Sequence, residues 1–161
     1  HTNRVGKAVD NFLVQDPLGR PFREEPQLRR LEQSIEDALA NRIELVPQLA
    51  KRPLVHARAG SFEVRPRVAF DNKASNRFTV IEVNARDRPA LLNKLARALF
   101  ESQLMVNSAH ITNYGERAAD TFYVTDVMGE KVTSADRLKG IEERLLAAAS
   151  EGEPVREAEV V

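Results

Sequence analysis

The sequence has no cysteine and no tryptophan, and its 161 residues carry no net charge, 24 Lys and Arg balancing 24 Asp and Glu. Without cysteine there are no disulfides and no thiolate metal sites, a usage that fits a cytosolic protein. Balanced charge leaves no electrostatic footprint for nucleic acid or for an anionic membrane surface. No apolar run approaches the ~20 residues of a membrane span, and no signal-peptide pattern is present. The histidines His1, His56 and His110 are scattered, with no carboxylate or second histidine at a metal-binding spacing. Glycine-rich phosphate loops, a Walker lysine and a nucleophile elbow are missing too. Carboxylates are plentiful, but no pair has a sequence reason to converge, so no catalytic site is expected. What remains is 42% hydrophobic residues, enough for the core of one domain or two small ones.

The chain contains an internal repeat. "TNRVGKAVDNFLVQD" from Thr2 returns as "TNYGERAADTFYVTD" from Thr112, an offset of 112 − 2 = 110. Thr2, Asn3, Ala8, Asp10, Phe12, Val14 and Asp16 recur without a gap as Thr112, Asn113, Ala118, Asp120, Phe122, Val124 and Asp126. The same offset carries Gly19 onto Gly129 and "LRRLEQSIEDAL" from Leu28 onto "LKGIEERLLAAA" from Leu138. The second copy has a head, Arg77 to Ile111, that the first lacks, so the first is expected to be truncated at its N-terminus. Such a module would leave apolar surface and an unpaired edge, which favours self-association.

Hydrophobic patterning predicts the elements of the second copy. "RFTVIEVNA" (77–85) is a strand with two apolar faces, as in a central position. "PALLNKLARALFES" is a helix with Leu92, Leu95, Ala96, Leu99 and Phe100 on one face. "MVNSAHITNYGERAADTFYVTD" is a hairpin turning at Gly115, and "SADRLKGIEERLLAAA" is a second helix capped by Ser134. The closing "PVREAEVV" is a short strand or a tail. In the first copy a strand (7–15), a proline-rich loop and a helix from about Gln27 to Arg42 are expected. In "SFEVRPRVAF", Phe62, Val64, Val68 and Phe70 alternate with charged residues, and Pro66 confines this strand to an edge or bulge.

Between the strand and helix of the second copy stands Asp87-Arg88-Pro89. Proline is favoured at the first helical position, which makes Arg88 the formal cap and leaves Asp87 to do one of two things. It can bond the free N–H groups of the helix start. Alternatively it can hold an ammonium while those N–H groups, on Ala90 to Leu92, hold a carboxylate, together matching an α-amino acid. On the motif alone, the helix cap is the expected role of Asp87.

"DRPALLNKLARALFESQLMVNSAHITNYGERAADTFYVTD" resembles an ACT domain, the ferredoxin-like module that binds small effectors, often amino acids. With "RPRVAFDNKASNRFTVIEV" before it and "GKAVDNFLVQD" upstream, the chain is similar to the C-terminal tandem ACT region of the bacterial PII uridylyltransferase/uridylyl-removing enzymes. The resemblance is weakest over 43–58 and after about Ser150. It implies an α+β, ferredoxin-like (βαββαβ) ACT domain over 77–150, a linker at 71–76, and a strand or tail at 151–161. Residues 1–70 would be the C-terminal part of a first ACT domain. It also implies a cytoplasmic regulatory region without catalytic residues or cofactor, sensing glutamine for an enzyme that attaches UMP to the PII protein and removes it. Magnesium is expected for the full-length enzyme, not for this region. By position, Asp87, Arg88, Asn107 and the backbone of Ala90, Leu91 and Leu92 match the effector contacts of amino-acid-binding ACT domains. A ligand-free ACT dimerisation module is the alternative. One departure stands out: the ACT pattern has glycine after the proline, and this chain has Ala90.

Overall fold

The computed structural model describes residues 14, 16, 18–50 and 64–150, which fall into two units, His1–Arg52 and Pro53–Val161. The strand expected over 7–15 and the reading of 151–161 lie outside the described residues.

In the first unit α1 (Glu25–Leu39) starts and ends earlier than the helix expected from Gln27 to Arg42. Pro26 sits in its first turn, where a missing N–H is no loss. Asn41 takes a left-handed φ of 53° just beyond its end. The six-residue α2 (Leu45–Ala50) follows. Before α1, the Asp16 carboxylate accepts N–H bonds from Leu18 (2.8 Å) and Arg20 (2.9 Å), and the Gly19 N–H reaches the Asp16 carbonyl at 2.9 Å. The second unit repeats this turn at the offset of 110. Asp126 accepts from Met128 (2.8 Å) and Glu130 (2.9 Å), and the Gly129 N–H reaches the Asp126 carbonyl at 3.0 Å.

The second unit is one antiparallel sheet with two helices on one face. Its strands are β1 (Arg67–Asp71), β2 (Thr79–Arg86), β3 (Leu104–Tyr114) and β4 (Arg117–Asp126), in the order β1-β2-β4-β3. Strands β2 and β3 are joined by α3 (Leu91–Glu101), and α4 (Ala135–Ser150) follows β4. The β2–β4 register sets Ile81 opposite Phe122 and Val83 opposite Asp120. Ile81, Val83, Ala85, Phe122 and Val124 thus line the face on which Leu91, Leu95, Leu99, Ile141 and Leu145 are buried. Leu95, Leu99 and Leu145 are wholly inaccessible, and each such burial is worth about 1.5–3 kcal/mol. The hairpin turns at Gly115, whose φ is 61°. Ser134 opens α4, its hydroxyl facing the Arg137 N–H at 3.5 Å.

Two expectations need correction. Residues 67–70, assigned by sequence to the first module, pair with β2 from Arg67↔Asn84 to Asp71↔Val80, and Val68 and Phe70 pack against this unit's core. Pro66 stands just outside the strand, where it costs no ladder bond. In a βαββαβ sheet the last strand lies beside the first; here β1 holds that edge of β2. The second correction concerns α3, whose buried residues are Leu91, Leu95, Ala98 and Leu99. Leu92 and Phe100 are 44% and 80% exposed. "LLNKLARALF" offers two overlapping leucine stripes, and the turn entering the helix selects the one that begins at Leu91.

The segment expected as a linker, 71–76, is the β1–β2 connection, fastened to the loop before α4. Thr79, wholly buried, donates its hydroxyl to Asn72 Oδ1 (2.8 Å) and accepts the Val132 N–H (2.9 Å). Asn72 Nδ2 donates to the Val132 carbonyl at 2.8 Å. Lys131 Nζ donates to the carbonyls of Asn72 (2.6 Å) and Ser75 (2.8 Å). Thr79→Val keeps the shape but strands the Val132 N–H, and should cost about 1–3 kcal/mol in denaturant unfolding. Thr79→Ser, which retains the hydroxyl, should cost less; equal losses would mean that packing, not the hydrogen bond, is what Thr79 supplies.

Candidate effector site at the β2–α3 loop

The β2–β4 ladder ends at Arg86↔Arg117, and the Asp87 N–H extends it by one bond to the Glu116 carbonyl at 2.7 Å. The chain must then reverse to lay α3 across the sheet. It does so in the turn Arg88–Leu91, closed by the Leu91 N–H on the Arg88 carbonyl at 3.2 Å. Proline second and a left-handed residue third make a type II turn. The third residue is Ala90, at φ 67° and ψ 2°. The departure from glycine noted in the sequence therefore falls at a position where the backbone asks for glycine.

This geometry redistributes the expected roles. Pro89 is not the first helical residue and Arg88 is not the cap; α3 begins at Leu91, with Ala90 in the N-cap position and no side-chain cap bond. Asp87 is not a cap either. Its carboxylate is exposed and accepts a bond from Asn113 Nδ2 at 2.9 Å, across from the end of β3. Arg88 turns the other way, half-buried, and its Nη2 donates to the carbonyl oxygens of Ala148 (3.1 Å) and Ala149 at the end of α4. Leu91 is core, and its N–H closes the turn rather than facing outward. Leu92 lies on the outer side of α3.

Asn107 is not brought to the loop. It occupies a bulge in β3, between the pairs Val106↔Val124 and Ser108↔Tyr123, with Nδ2 near the Met105 carbonyl (3.3 Å) and Thr125 Oγ1 (3.4 Å). Asn113, the partner of Asp87, lies 113 − 107 = 6 residues further along the strand, about 20 Å away at 3.4 Å per residue.

Three neighbours of the loop were not singled out from the sequence as site residues. Asn113 orients Asp87; Glu116 receives its N–H and pairs with Arg86 at 3.1 Å. Asp120 is 2% exposed on the helix-covered face of β4, where its Oδ1 faces the Thr112 N–H at 3.4 Å. Burial pushes the Asp120 carboxyl above its ordinary range, the Thr112 N–H opposes this, and the negative charge of Asp87 adds to the rise. A signal for two of them existed, since Asn113 and Asp120 are residues that the internal repeat preserves. Among the described residues no group of three or more His, Cys, Asp or Glu could hold a metal ion.

The second unit is thus an antiparallel four-stranded sheet with two helices on one face and a tight polar loop leading from its first central strand into a helix. The ACR family N-terminal ACT domain matches residues 74–152, and this part of the chain is an ACT domain. Over nearly its whole length it is similar to bifunctional uridylyltransferase/uridylyl-removing enzymes. It is 71% identical over 151 residues to that of Novosphingobium aromaticivorans, covering 94% of this chain and 17% of the relative. To that of Erythrobacter litoralis it is 67% identical over 160 residues, 99% and 17%. To that of Azospirillum brasilense it is 47% identical over 148 residues, 91% and 16%. The chain thus spans about a sixth of the length of these relatives, and what it shares with them is an ACT regulatory region. No solved structure matches it. Among the described residues no helix is long and apolar enough to cross a membrane.

Two measurements follow from the loop. Ala90→Gly relieves a left-handed alanine, worth about 1–2 kcal/mol, and gives back about 0.5–1 kcal/mol of chain entropy. A net gain of about 0.5–1 kcal/mol is expected in denaturant unfolding, and a loss would show that the turn is unstrained. Asp120→Asn keeps an acceptor for the Thr112 N–H and removes the buried charge. Because the folded carboxyl titrates above its ordinary 3.8, its contribution to stability is complete below that value and is lost as pH rises through the raised pKa. The asparagine variant should therefore match the wild type in acid and exceed it at neutral pH. An unfolding-midpoint difference that does not change with pH would contradict this.

Proposed function

We propose that this chain is an amino-acid-sensing ACT region with glutamine as effector, bound at the β2–α3 loop. The observation that carries the reading is Asp87: an exposed carboxylate beside the start of α3, held by Asn113, and not used as the helix cap. It suits the ammonium of an α-amino acid, while the positive end of α3 suits the carboxylate. Arg88 and Leu91, already engaged, are not direct contacts in this reading.

Self-association completes the site. β3 is an edge strand of 11 residues with Met105, Val106, Ile111 and Tyr114 exposed, an edge that invites pairing. Two β3 strands paired antiparallel about residue 110 would set Asn107 of one copy opposite Asn113 of the other, since 107 + 113 = 2 × 110. That would bring the one distant effector candidate to the Asp87 loop. The same exposed edge favours the second reading, an ACT dimerisation module without ligand. The repeated turn and helix at the offset of 110 support a tandem arrangement with a first ACT domain upstream. In a longer, cytoplasmic chain like its relatives, this region would report glutamine to a uridylyltransferase acting on the PII protein. It can do so only by favouring one arrangement of that enzyme.

The test is calorimetric titration of the chain with glutamine, with glutamate and asparagine as controls. Saturable heat for glutamine alone, lost in Asp87→Ala, is expected. Since Asp87 caps no helix, that variant should lose only about 0.5–1.5 kcal/mol of stability, one exposed hydrogen bond. No heat at millimolar glutamine would leave the interface reading in its place.

A further inference from the structure

We infer that Arg88 is the positioning residue of the β2–α3 loop, acting through the C-terminal end of α4 and not on the effector. The last carbonyls of a helix have no partners within it and carry the negative end of its dipole. α4 has no basic residue in its own last turn. Arg88 supplies the missing cation from 60 residues away, with Nη2 on the carbonyls of Ala148 and Ala149. The backbone there is fixed, since Leu145 and Ala149 are wholly buried against the core.

The loop is thereby hung between two supports. Asp87 is tied to the β3–β4 hairpin through Glu116 and Asn113, and Arg88 is tied to α4. Between Arg88 and the helix stands Ala90 in its left-handed conformation, which an alanine leaves when nothing holds it there. The clamp at Arg88 supplies that hold. Releasing it lets the turn relax, and Asp87, one residue away, loses its placement. A residue that merely capped α4 would affect the last turn of that helix alone.

This inference deepens the effector reading, but its main readout does not depend on it. Amide hydrogen exchange is measured on the whole chain for wild type, Arg88→Gln and Arg88→Lys, with Val83 and Phe122 as core reporters that each variant is folded. Arg88→Gln should accelerate exchange about tenfold or more at residues 146–150 and equally at the Asp87 and Leu91 amides, because a hydrogen bond to a charged group is lost. Arg88→Lys, a cation without the planar fork, should fall between. Acceleration at 146–150 with Asp87 and Leu91 unchanged would overturn the inference and leave a simple helix cap. In glutamine titration, Arg88→Gln should weaken binding about tenfold while keeping the preference over glutamate, and wild-type binding should slow exchange at 146–150. Loss of that preference with α4 exchange unaltered would make Arg88 a ligand contact. If glutamine does not bind the wild type, the effector reading falls, and the ligand-free exchange still decides the role of Arg88.

Discussion

Burial of two helices against a single sheet face is the constraint on which the ACT domain depends. Ile81, Val83 and Ala85 of β2 and Ala118, Phe122 and Val124 of β4 face the same way because the register sets alternate residues of the two strands side by side. α3 and α4 must both lie on that side to bury Leu95, Leu99 and Leu145. The β2–α3 loop follows directly. When the ladder stops at Arg86↔Arg117, the chain has four residues, 87 to 90, in which to leave the sheet plane and turn back over it. The chain makes that reversal in a type II turn whose third residue is the left-handed Ala90. The candidate site is the place where the chain changes layers.

Charge at this end of the sheet is distributed unevenly. Arg88 is drawn to α4, Arg86 pairs with Glu116, and Arg117 Nη2 bonds Asn84 Oδ1 at 2.9 Å. Three cations near the loop are thus engaged with groups of the fold. Asp87 stays exposed, and Asp120 is buried nearby with its carboxyl pushed up. A fold that selected only for stability would not keep a carboxylate at 2% exposure on its helix-covered face.

Sequence reasoning reached what local pattern determines. The strand at 79–86 is central, the hairpin turns at Gly115 and α4 opens at Ser134, but the second apolar face expected of that strand carries the exposed Glu82 and the half-exposed Asn84 and Arg86. It missed what distant partners determine. Nothing within "RVAFD" says that it pairs with β2 rather than with an earlier strand; that choice belongs to the core that receives Val68 and Phe70. The stripe on α3 was ambiguous between two sets of leucines, and only the turn before the helix separates them. At the site, Asp87 was legible as a polar residue at a helix start, but not its bond to Asn113, 26 residues on. Nor were the bonds of Arg88 legible, because the partners of its Nη2 are backbone carbonyls at the end of another helix, which carry no side-chain signature.

The comparison of α1 with α4 draws the same boundary from within one chain. At the offset of 110, Leu28, Leu31 and Ile35 correspond to Leu138, Ile141 and Leu145. Ile141 and Leu145 are core, whereas α1 has no buried residue, and Leu28 and Ile35 are each 44% exposed. Yet the preceding turns agree bond for bond, within 0.1 Å, from Asp16 to Arg20 and from Asp126 to Glu130. The turn draws its hydrogen bonds from five consecutive residues and the helix from its own backbone, so both are set locally, whereas burial of an apolar stripe is not. A turn–helix unit therefore keeps its geometry in either copy, while its contribution to a core depends on what lies against it.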